Sequence, residues 1–67
     1  MYIEQFCLKA EWSIADLVRQ SRVDRKTIEK AMKGKSIRPL KATQIANAFS
    51  RKLGREVTIV ELGISTL

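Results

Sequence analysis

A chain of 67 residues forms one small domain with a modest core, too small to enclose a sizeable active site. It carries 13 Lys and Arg against 7 Asp and Glu, a net charge of +6, with a single Cys and no His. That composition excludes an internal disulfide framework, leaves a metal ion without a ligand set and removes His from acid–base chemistry.

Ile3, Phe6, Cys7 and Ala10 recur at helical spacing and predict a first helix from about Tyr2 to Ala10. With no His to activate it, Cys7 reads as a small apolar residue of that stripe. Ser13 is an N-cap residue for a second helix, Asp16 suits its first turn, and Trp12 and Leu17 occupy the positions of a hydrophobic staple. The pattern repeats at once: Asp24 caps a third helix, Val23 and Ile28 can staple, and Gly34 stands where a left-handed residue closes a helix.

A fourth and longest helix is predicted from Pro39 to Leu53, with Ala42, Ile45, Ala46, Phe49 and Leu53 as its apolar stripe and Gly54 as its stop. Thr58 with Glu61, and Val57 opposite Leu62, predict a fifth helix start. The fold expected is all-α, a compact bundle of four to five short helices spanning residues 1–67 as one domain. No repeat, linker, membrane-length apolar run or basic leader followed by an apolar stretch interrupts it.

The charge is concentrated. Residues 19–41 hold nine basic side chains (Arg19, Arg22, Arg25, Lys26, Lys30, Lys33, Lys35, Arg38 and Lys41) against Asp24 and Glu29, while the rest of the chain is slightly acidic. A solvated face usually mixes signs, whereas a surface that meets a polyanion does not. At 100° per residue, Ile28, Ala31 and Met32 fall on one side of the third helix, and Arg25, Lys26, Glu29, Lys30 and Lys33 on the other. Thr27 sits at the border, where it can pack, touch a phosphate or meet a thymine methyl.

The segments SIADLVRQSRV and DRKTIEKAMKG therefore read as a helix-turn-helix, and at this point the chain resembles the phage repressor and Cro family with its lambda-repressor-like fold. Trp12-Ser13, Leu17-Val18, Val23, Thr27-Ile28 and Gly34 carry the resemblance through the motif. Ile45-Ala46, Ala48-Phe49, Leu53-Gly54, Val57-Thr58 and Leu62 extend it over almost the whole chain. Five positions depart from the family pattern: Val18 stands for Ala, Arg22 for a turn Gly, Ile14 for a frequent Gln, Met32 for Glu and Cys7 for Arg.

The resemblance implies a sequence-specific, double-stranded DNA-binding transcriptional regulator, a minimal Cro-like repressor in the cytoplasm and nucleoid of a bacterial or phage-infected cell. The third helix would enter the major groove with Arg25, Lys26 and Lys30, with Thr27 nearby, and Arg25 can offer paired donors to guanine. Ser13, Arg22, Lys33, Lys35, Ser36, Arg38 and Lys41 are the candidate phosphate contacts. Glu29 can orient the base-reading cations or accept from a cytosine amino group, but a helix-surface pair with Lys33 at i+4 is the stronger expectation. No cofactor, enzyme activity or small-molecule effector domain is expected.

The family's two-fold operators imply a homodimer, and Ile59, Val60, Leu62, Ile64 and Leu67 supply more apolar surface than one short helix needs. The bland reading is that these residues cover helices 1 and 4. The alternative function is a protein-interaction module or antitoxin-type partner whose basic face docks an acidic protein. RNA binding lacks a stacking platform, because Tyr2, Phe6, Trp12 and Phe49 all fall on predicted core stripes or staples. Membrane attachment lacks apolar area on the basic helix.

Overall fold

The first helix, α1, spans Tyr2–Ala10 in a computed structural model that describes residues 2–67. Three more helices follow: α2 over Ile14–Ser21, α3 over Arg25–Met32 and α4 over Pro39–Leu53. Among the described residues there is no strand, and only an isolated parallel bridge joins Ile37 to Thr66. None of the helices is long and apolar enough to cross a membrane.

The starts of α2, α3 and α4 are written locally. Ser13 accepts the Asp16 N–H through its hydroxyl while Asp16 takes the Ser13 N–H at 2.9 Å, a reciprocal box that satisfies two donors at the head of α2. Arg38 precedes α4 without a side-chain cap, and Pro39 at the first turn needs no N–H partner.

Helix ends turn on left-handed residues, two of which are not glycine. Glu11 (φ 59°) lets Trp12 N–H reach the Cys7 carbonyl at 2.9 Å, so α1 stops and Trp12 packs against the core. Arg22 (φ 60°, ψ 26°) donates its N–H to the Val18 carbonyl at 2.9 Å and reverses the chain between α2 and α3. The left-handed position of this turn is thus held by Arg22, a residue with a Cβ, where Gly would adopt it without strain.

The core gathers one stripe from every helix: Ile3, Phe6 and Ala10 of α1, Leu17 of α2, Ile28 and Ala31 of α3, and Ala42, Ile45, Ala46 and Phe49 of α4. Phe49 is fully buried and stacks on Trp12 with ring centroids 5.4 Å apart, and its other contact is Phe6 at 5.6 Å. Val18 is half-buried against the core, and Ala31 of α3 is buried in the same cluster. Cys7 is buried as expected; burial, then the nearby Glu4 carboxylate, pushes its thiol pKa up.

Two expectations need correction. The predicted fifth helix is a single turn: Thr58 and Glu61 do form their capping box, but Gly63 (φ 67°) ends it immediately. A Cβ at Gly63 would meet the Tyr2 ring, so a side chain there is strained by the backbone conformation and must displace that ring. Tyr2 is the second correction, since its ring lies over that turn and remains 59% exposed instead of entering the core.

The apolar segment that closes the chain is mostly consumed by its own fold. Leu62 and Ile64 are buried and Ile59 packs against the core, leaving Val60 and Leu67 in solvent. That matches the bland reading for Ile59, Leu62 and Ile64, while Val60 and Leu67 keep an exposed apolar surface.

Candidate nucleic-acid interface

The start of α3 is fixed by a carboxylate. Asp24 accepts the Thr27 N–H at 3.2 Å through one oxygen and the Thr27 hydroxyl at 2.6 Å through the other. These two bonds, the hydroxyl first, hold the Asp24 carboxyl below the usual aspartate range, with a smaller contribution from Lys41. Thr27 is half-buried with its hydroxyl proton committed to Asp24; what it can still offer is a methyl and an acceptor lone pair.

Ile28 and Ala31 point into the core and Met32 is half-buried, which forces the opposite face of α3 outward. Arg25, Lys26, Glu29, Lys30 and Lys33 are all exposed on it. No other segment of the described chain lies over them.

Among the described residues the ion pairs are Asp16 with Arg19 and Glu61 with Arg55. Of the nine cations between residues 19 and 41, Arg19 alone is neutralised inside the fold. Glu29 does not reach Lys33, so the expected i+4 pair is absent and Lys33 stands unpaired. Holding unpaired like charges together is unfavourable in the free protein, and an approaching polyanion relieves it.

At its far end α3 closes with Gly34 (φ 83°): Gly34 N–H bonds the Ala31 carbonyl and Lys35 N–H the Lys30 carbonyl. The chain then runs through exposed Lys35 and Ser36, buried Ile37 and exposed Arg38 into α4. A shallow groove of about 200 Å³ opens here, walled by Thr27, Lys30, Ser36, Arg38, Lys41 and Leu67. The structure thus brings together Thr27 and Lys30 of α3, Ser36 and Arg38 of the connection, and Lys41 of the first turn of α4.

Ser13 and Arg22 stand apart from that groove. The Ser13 hydroxyl both accepts from Asp16 N–H and donates to the Asp16 carboxylate at 3.1 Å, so its donor is occupied. Asp16 itself is held below its usual pKa by the Ser13 N–H and then by the Ser13 hydroxyl, and Arg19 adds to the shift. An ionised carboxylate at the head of α2 opposes a phosphate, which weakens the case for Ser13 as a contact. Arg22 is exposed at the α2–α3 turn, beside a second polar groove with Arg51 and Gln44.

Sequence reasoning missed residues 65–67. Ile37 donates its N–H to the Ser65 carbonyl at 3.0 Å and accepts the Leu67 N–H at 3.0 Å, so this short segment borders the basic groove directly. The only signal was the pair of β-branched residues Ile64 and Thr66 after Gly63, which reads equally well as the end of a helix.

Residues 10–65 match a family model described as the SP15 N-terminal domain. No curated protein and no solved structure matches the chain.

Proposed function

The chain belongs to the SP15 N-terminal domain family, and on the exposed basic face of α3 we propose that it is a sequence-specific double-stranded DNA-binding regulator, a minimal Cro-like repressor. In this reading α3 lies in the major groove. Arg25, Lys26 and Lys30 address base edges, with the Thr27 methyl available to a thymine. Lys33, Lys35, Ser36, Arg38 and Lys41 bind phosphates on one flank, and Arg22 does so on the other.

One observation carries the proposal: the exposed face of α3 presents Arg25, Lys26, Lys30 and Lys33 with no acid paired to any of them. The likeness of the α2–turn–α3 segment to phage repressors and Cro proteins supports the same reading. A two-fold operator follows if two copies bind neighbouring half-sites.

Selection of bound sites from a pool of random duplexes tests this. Enrichment of a symmetric motif, with half-sites about 10 base pairs apart, is the expected result. Binding without enrichment would contradict sequence-specific regulation and favour an acidic protein partner for the same face.

A further inference from the structure

We infer that residues 65–67 position the phosphate-binding groove of Lys30, Arg38 and Lys41 by clamping the backbone of Ile37, an inference that rests on the DNA-binding reading above. The connection between α3 and α4 is held in two halves. Its first half is fixed by the bonds of Gly34 and Lys35 back to α3. In its second half, Ile37 makes both of its main-chain bonds to the closing segment, one to the Ser65 carbonyl and one from the Leu67 N–H.

The consequence for the groove is geometric. In extended backbone, neighbouring side chains point to opposite sides. With the Ile37 side chain buried, Ser36 and Arg38 are turned outward to line the groove beside Lys30 and Lys41. Leu67 is 79% exposed, forms one wall of that groove and contributes little to the core. Its N–H, more than its side chain, is what the fold uses.

Without the clamp, Ile37 and its neighbours would have to be ordered by DNA itself. Fixing one residue's backbone lowers an equilibrium constant roughly five- to thirtyfold. Leu67→Pro removes the N–H and keeps Thr66 extended, whereas Leu67→Ala keeps the N–H and removes the wall.

The experiment measures affinity of the 67-residue chain and of both variants for a selected duplex and for random duplex, with cooperative thermal melting to show that each variant folds. Leu67→Pro is expected to weaken both affinities equally by roughly five- to thirtyfold, leaving their ratio unchanged, and Leu67→Ala to stay within about twofold of the parent. Equal binding by Leu67→Pro and the parent overturns the clamp alone, as does an equal loss in Leu67→Ala. Absence of DNA binding by the parent overturns the clamp together with the functional reading. Amide exchange gives a check that needs no variant: Ile37 should exchange more slowly than Ser36, and equal rates overturn the clamp.

Discussion

The main-chain N–H of Lys35 donates to the carbonyl oxygen of Lys30 at 2.9 Å, which sets two cationic side chains at the same end of α3. In this kind of helix closure the two positions commonly hold apolar residues in contact. Two lysines there give up that contact and gather positive charge beside the groove.

Lys35→Ala is therefore expected to leave the fold intact, because the closing bond belongs to the backbone, and to weaken binding to all DNA alike. The slope of log K against log salt should flatten by about 0.9, the share of one phosphate contact. An unchanged slope removes Lys35 from the interface.

Among the described residues, Glu11 and Arg22 are the two non-glycine residues held in the left-handed region. Relief of that strain in Glu11→Gly should raise stability by up to about 1 kcal/mol, read from the urea midpoint, with DNA affinity unchanged. Arg22→Gly should give a similar gain in stability and lose affinity, because it deletes a cation at the α2–α3 turn. Unchanged affinity in Arg22→Gly would place that guanidinium away from phosphate.

Phe49 is fully buried between Phe6 and Trp12. Phe49→Ala should cost about 3 to 5 kcal/mol, against a total stability of roughly 3 to 10 kcal/mol for a domain of this length. Calorimetry should show the cooperative transition lost or strongly lowered, and Phe49→Leu should retain it.

Asp16, Asp24 and Glu61 all have carboxyl pKa values lowered by hydrogen bonds at helix or turn starts, Glu61 chiefly by the Thr58 N–H and then by Arg55. Below the ordinary carboxylate range of about 3.9 to 4.3, the unfolded chain binds more protons than the folded one. Their contribution is thus complete above that range and is lost as pH falls through the folded values. The urea midpoint should drop between about pH 5 and pH 2. A midpoint that holds steady over that interval contradicts the capping roles.

The four helices were legible because α1 shows its apolar stripe and the starts of the other three are written in adjacent residues, Ser13 with Asp16, Asp24 with Thr27, and Pro39, with Gly54 marking an end. The fifth helix failed for an instructive reason. A capping box needs only the four residues 58–61 and does not require the helix to continue, and Gly63 together with the pairing of residues 65–67 to Ile37 stops it. The outward face of α3 was likewise readable from period and charge. The groove beside it was not, since its shape depends on how the α3–α4 connection is held, including the bonds of Ile37 to Ser65 and Leu67, which no local pattern encodes.

Affinity of the parent and of Arg25→Ala for a selected duplex and for random DNA tests the major-groove role of α3 most directly. The account predicts that Arg25→Ala loses about 1 to 3 kcal/mol of discrimination between the two while affinity for random DNA stays nearly constant. An equal fall in both affinities would make Arg25 a phosphate contact and contradict the placement of this helix against base edges.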